Sequence, residues 1–213
     1  MSILRPTSAP HYTPQRLSVF ALYLLLTIAP ACARASAKDY FPLANGAKWE
    51  YTGRFSSASG REFNVRATTM VDGETLIEGN KYFKLVVTTD LSGVPDVGRR
   101  LEEVRYYRYA EGGLYFRSGS DPDSKDRLEL PSPVSAGVKW LSGRTEVRAE
   151  SAGTIQVGGR QYKNCLKVLI KGDDGARSVE NYYAPGVGVV KTVYVNATEP
   201  KSVVELTLEK YEL

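Results

Sequence analysis

Most hydrolytic and metal chemistry in proteins runs through histidine or an activated thiolate, and this chain offers little of either. Its one histidine, His11, lies in an N-terminal stretch that reads as an export leader, so the mature chain has none. Without it, Ser-His-Asp and Cys-His catalysis, His-ligated zinc and imidazole general bases fall away. Beyond the leader the only cysteine is Cys165. Leu166, Val168 and Ile170 alternate onto one strand face, which puts Cys165 beside Lys167 on the other, as an inert semi-buried thiol.

Other motifs read as scaffold. Gly186-Val187-Gly188 lacks the third glycine of a dinucleotide loop, and no helix N-terminus follows it to receive an anion. Asp121-Pro122-Asp123-Ser124-Lys125-Asp126 has carboxylates at calcium-loop spacing. A lysine stands where a ligand belongs, however, and no glutamate closes the loop, so a solvated connector is expected. No cofactor and no metal are expected. Among 24 acidic residues nothing singles out the pair that glycoside hydrolysis requires.

The stretch best suited to binding is Arg105-Tyr106-Tyr107-Arg108-Tyr109, followed by Tyr115 across the Gly112-Gly113 turn. On a strand, Arg105, Tyr107 and Tyr109 share one face and Tyr106 and Arg108 the other, so each face presents an aromatic ring and a guanidinium. The candidate ligand-binding residues are Tyr106, Tyr107, Arg108, Tyr109 and Tyr115, joined by Trp140.

The elements that must position them begin after the leader. Met1 to Arg16 carries arginines and no acid, Leu17 to Ala29 is almost unbroken apolar, and small residues run from Pro30 to Ala37. A run of about thirteen residues is too short to span a bilayer as a permanent helix, so residues 1–37 read as a signal peptide. Ala35-Ser36-Ala37 offers a cleavage site before Lys38, the expected cut. Ala29-Pro30-Ala31-Cys32 is the alternative, a degraded lipobox that would make Cys32 a lipidated N-terminus. With the three leader arginines taken from 28 basic side chains, 25 remain against 24 acidic ones. That balance gives no electrostatic case for nucleic acid.

Residues 38–213 are expected to form a single all-β domain. Period-two alternation governs the chain from Trp49 onward, as in Trp49, Tyr51, Gly53, Phe55 against Lys48, Glu50, Thr52, Arg54. Asp72-Gly73 and Gly79-Asn80 are expected to close hairpins. The pattern Pro-x-x-x-Gly-x-Lys-Trp occurs at residues 42–49 and again at 133–140. Gly73-x5-Gly79-x2-Tyr82 is echoed by Gly153-x5-Gly159-x2-Tyr162, and Tyr109-Ala110-Glu111-Gly112 by Tyr183-Ala184-Pro185-Gly186. These echoes point to two pseudo-repeats, about 40–117 and 130–195, and a final strand at 202–211. The expected fold is a strongly bent antiparallel meander sheet, half-barrel or barrel, plus an N-terminal signal-peptide helix in the leader.

The blocks Asp39-Tyr40-Phe41-Pro42-Leu43, Gly46-x-x-Trp49-x-Tyr51, Lys163-Asn164-Cys165-Leu166-Lys167-Val168 and Tyr182 to Lys191 resemble those of a family of uncharacterised bacterial exported proteins and lipoproteins. The resemblance implies a periplasmic or secreted location, alternatively the outer membrane, and no catalytic residue. The expected role is non-enzymatic: the concave sheet face holds a hydrophobic small molecule, a lipid or a partner segment. The alternatives are an assembly module that binds an envelope protein through its outer face or a sheet edge, and a carboxylate-based carbohydrate-active enzyme. Membrane contact is expected only if Cys32 is lipidated.

Overall fold

The computed structural model describes residues 35–95, 99–121, 123–172, 175–198 and 200–213. The leader helix and Cys32 lie outside the described residues. A four-residue helix, α1 (Ala37–Tyr40), precedes twelve strands: β1 (Lys48–Ser57), β2 (Glu62–Ile77), β3 (Asn80–Asp90), β4 (Arg100–Ala110), β5 (Gly113–Ser118), β6 (Arg127–Pro131), β7 (Lys139–Ser142), β8 (Thr145–Val157), β9 (Arg160–Lys171), β10 (Arg177–Ala184), β11 (Gly188–Asn196) and β12 (Ser202–Glu212). All are antiparallel neighbours in one sheet of order β6-β5-β4-β3-β2-β1-β12-β11-β10-β9-β8-β7. Each strand therefore pairs with its neighbours in sequence except at β6 and β7, and the chain closes on itself where β1 meets β12. The two ends of the order, β6 and β7, also approach each other, because the Trp140 indole on β7 donates to the Leu128 carbonyl on β6 at 3.1 Å. The result is a nearly closed barrel.

Both copies of Pro-x-x-x-Gly-x-Lys-Trp fold alike. Gly46 and Gly137 take φ of 83° and 88° at the third position of a turn, which a side chain would strain. Their N–H groups donate to Val71 O at 3.0 Å and Ala149 O at 2.8 Å. The motif is thus a type II turn that delivers the tryptophan strand into register with the strand after it.

Two turn expectations need correction. Asp72-Gly73 does not end a strand; β2 runs through it, and the register with β3 shifts between Val71 and Glu74. Gly73, at φ 82°, makes a bulge, and the extra residue is absorbed by local twist. The hairpin closes instead at Glu78-Gly79, both at positive φ, one residue earlier than Gly79-Asn80. Gly153 bulges β8 at the corresponding place, and Gly158-Gly159 turns it into β9.

Gly53 lets β1 and β12 pack closely. A Cβ built there would lie 1.8 Å from the Glu205 carbonyl oxygen, on backbone that cannot give way cheaply. Gly53→Ala is therefore expected to lower unfolding stability by about 1–3 kcal/mol in urea titration, as overpacking does. An unchanged midpoint would show that the β1–β12 pairing is looser than described.

Candidate functional site

Alternation and register identify which side chains enter the barrel. Trp49 and Tyr51 lie in the core, so Phe55 on β1 faces inward, as do its partners Phe63 on β2 and Val204 on β12. The same reasoning places Val87, Glu103, Arg105, Ile170, Val179 and Tyr194 inside.

One end of this interior is full. The segment after α1 turns into the barrel, where Phe41 stacks on Trp49 (centroids 5.8 Å, 11° between planes) and meets Tyr107 at 5.5 Å and Tyr183 at 6.2 Å. Polar bonds fix this plug. Tyr109 donates its hydroxyl to the Phe41 carbonyl and accepts from Leu43 N, Tyr40 donates to Asn164 O at 3.1 Å, and Gly186 N donates to Asp39 O at 2.7 Å. Trp49 Nε1 donates to Val187 O at 2.6 Å. The sequence reading missed α1, although Ser36-x-x-Asp39 is a capping-box pattern that announces it.

The other end is not filled. Along β3, exposure rises from 1 % at Leu85 to half-buried at Val87; along β9 it rises from 1 % at Val168 to half-buried at Ile170; along β12 it rises from 2 % at Leu208 to half-buried at Leu206 and Val204. The loop after β3 covers one side of this mouth by laying Leu91 and Val94 on Val65, against Phe55 and Phe63. Arg105 settles whether water enters. It points inward, yet its side chain is 39 % exposed, clasped to Glu103 through two bonds of 2.8 and 2.7 Å. A bidentate pair this wet contributes about 0–1 kcal/mol and leaves neither charge free for a ligand.

Deeper in, Glu129 sends its carboxyl from the edge strand β6 to accept the Tyr183 hydroxyl at 2.7 Å. Burial pushes this carboxyl above the usual range, partly offset by the Tyr183 bond and the positive charge of Arg105. Asn181 and Thr192, also inward, bond to each other at 2.9 Å.

The six candidate ligand residues do not form one site. Tyr107, Tyr109 and Trp140 face the interior: Tyr107 is buried against Phe41, Tyr109 holds the plug, and Trp140 packs on the core with its indole on the seam. Tyr106, Arg108 and Tyr115 are on the outer face. There the Arg108 guanidinium sits 5.6 Å from the Tyr82 ring and 5.5 Å from the Tyr115 ring, and its Nε reaches Asp126 at 2.7 Å. Arg117 joins the same carboxylate at 3.1 Å, and Tyr82 donates to it at 2.8 Å. Burial raises the Asp126 pKa, but the three donors more than offset this and hold the carboxyl below its ordinary value. The connector is therefore pinned to the sheet through Asp126 rather than solvated throughout. Its aromatic faces are taken by the chain's own guanidinium groups.

Cys165 also departs from expectation. A register shift opposite Gly153 turns it into the core at 1 % exposure alongside Leu166, and burial pushes its thiol pKa up. Two clefts of about 310 and 260 Å³ lie outside the barrel, around Arg54, Glu62 and Glu205 and around Arg148, Leu169 and Lys171. Their charged linings do not suit an apolar ligand.

No family model matches the chain, and no curated protein does. Among solved structures it is similar to an inferred exported protein with a YmcC-like fold from Bacteroides fragilis, at 14 % identity over 82 % of this chain and 99 % of that one, TM-score 0.47. An inferred lipoprotein from Parabacteroides distasonis gives 14 % identity over 81 % and 97 %, TM-score 0.42. A LolA superfamily protein from Nitrosomonas europaea gives 12 % over 84 % and 90 %, TM-score 0.30. These scores are too low to carry a functional argument, which rests on the chain's own geometry.

The Glu129 carboxyl makes a pH prediction. Its folded-state pKa is raised, so between the unfolded value and the folded one the native state binds the extra proton, and stability from this group falls as pH rises through that window. Glu129→Gln removes the penalty. The difference between variant and wild type in urea unfolding should be near zero at pH 4 and grow in the variant's favour toward pH 7; a constant difference would show that the carboxyl is not buried.

Proposed function

We propose that the protein is a non-enzymatic binding protein of the bacterial envelope, which holds an apolar ligand, or the apolar part of an amphiphile, in the open end of its barrel. The observation that carries this reading is the exposure gradient along the strands. Inward apolar side chains are sealed by the plug at one end and remain half-exposed at the other, where Val87, Ile170, Val179, Tyr194, Val204 and Leu206 line the wall. Apolar surface inside a concavity, with a few internally paired polar groups, is the usual make-up of a small-molecule site. The export leader read from the sequence, and the sequence blocks such as Asp39 to Leu43 and Tyr182 to Lys191 that resemble those of exported proteins and lipoproteins, support the location.

The two alternatives have less behind them. Strand addition would use the free edges of β6 and β7, but these are only 5 and 4 residues long, and short edges give an incoming strand few ladder bonds. Carboxylate chemistry would need free acids in the mouth, where Glu103 is clamped by Arg105.

Titration with N-phenyl-1-naphthylamine tests the reading. One saturable site per chain is expected, with native mass spectrometry of protein purified from its own envelope showing a bound apolar molecule. Val179→Asp, a charge set in the wall, should weaken probe binding by about tenfold or more without lowering the melting temperature appreciably. Absence of saturable binding together with a ligand-free native mass would sink the proposal.

A further inference from the structure

We infer that the export cut lies upstream of Ala35, so that the mature chain keeps Ala35, Ser36 and Ala37. This reverses the cut before Lys38 suggested by the Ala35-Ser36-Ala37 spacing, and it follows from what these three residues do in the fold. Ala37 is 1 % exposed and belongs to the barrel core. Its carbonyl accepts from Phe41 N at 3.0 Å, which fixes the turn that aims Phe41 at Trp49. Ser36 caps α1 reciprocally: its hydroxyl accepts from Asp39 N at 3.3 Å, while its own N–H donates to the Asp39 carboxylate at 2.7 Å. Ala35 packs against the core, and its carbonyl accepts from Val134 N at 2.9 Å, in the loop that joins β6 to β7.

Cleavage before Lys38 would remove all of this at once. Val134, itself 2 % exposed, would lose the acceptor for a buried N–H; the plug would lose its cap and a core side chain; and a charged α-amino group would sit at the threshold of the interior. A leader that is discarded has no reason to complete the core of the protein it leaves. Upstream, two cuts satisfy the structure: before Cys32, at the Ala29-Pro30-Ala31-Cys32 stretch, and before Arg34, where Ala31 and Ala33 supply another A-x-A pattern.

The full chain, expressed with its own leader in an exporting bacterial host, answers the question by intact mass and N-terminal sequencing of the purified mature protein. A first residue at or before Ala35 is expected; a first residue at Ser36, Ala37 or Lys38 overturns the inference. A mass carrying acyl chains on Cys32 identifies the first upstream cut. A mass without acyl chains, starting at Cys32 or Arg34, identifies release. Amide exchange of Val134 in the same preparation is an independent check: protection is expected with Ala35 present, and fast exchange would contradict the bond on which the inference rests.

Discussion

The stacking of Phe41 between the walls of the barrel is the contact on which the rest of the structure depends. Eight strands make a barrel whose own side chains just fill it, and diameter grows with strand number, so twelve strands enclose more space than their inward residues can occupy. An unfilled apolar interior is costly, because its lining forfeits dispersion contacts. Here the chain supplies the missing volume from outside the sheet: the Tyr40-Phe41-Pro42-Leu43 segment enters at one end, and Trp49, Tyr107 and Tyr183 close round it. Because the segment is short, it fills only that end. The open mouth at the other end is a consequence of the same geometry.

How the plug is held explains why aromatic residues of this interior are so often tyrosines. A segment without strand pairing brings unsatisfied carbonyls and N–H groups into an apolar space, where each needs a partner. Tyr109, Tyr40 and the Trp49 indole reach those groups or the loops beside them, and Tyr51 bonds Val189 O at 3.0 Å. Each ring contributes apolar area to the core and a polar tip to the accounting. Tyrosine in this interior therefore acts as a structural clamp, and the stretch Arg105 to Tyr109 is divided between the core and an outer network instead of forming one surface.

Strand alternation was legible in the sequence, and so was the orientation of Trp49, since a period of two needs only local residues. The split of Arg105, Tyr107 and Tyr109 from Tyr106 and Arg108 followed from the same rule. What was not legible depends on registers and on distant contacts. Asp72-Gly73 has the composition of a tight hairpin, but the strand continues because β3 offers partners on both sides of the bulge. Cys165 changed faces for a similar reason, a register shift opposite Gly153 that no pattern within β9 records. The Asp39 to Leu43 block stood out as a motif, yet nothing in its residues says that Phe41 meets Tyr183 on a strand far along the chain. The outer Tyr82–Arg108–Arg117–Asp126 network likewise joins residues from three strands and a connector.

The position of the seam also has a physical cause. The first and last strands pair along all of β1, from Lys48 to Ser57, whereas β6 and β7 have no such ladder between them. Pro131 ends β6 and Pro133 follows in the loop to β7; neither has the N–H that a ladder requires, and these two strands are the shortest in the sheet. What holds the two edges together is a side chain, the Trp140 indole on Leu128 O, with Glu129 reaching across to Tyr183 on β10 just inside. A joint that rests on side chains yields at lower cost than a backbone ladder, whose bonds are made residue by residue. The wall of the barrel is therefore weakest between β6 and β7 and strongest where β1 and β12 share a full backbone ladder.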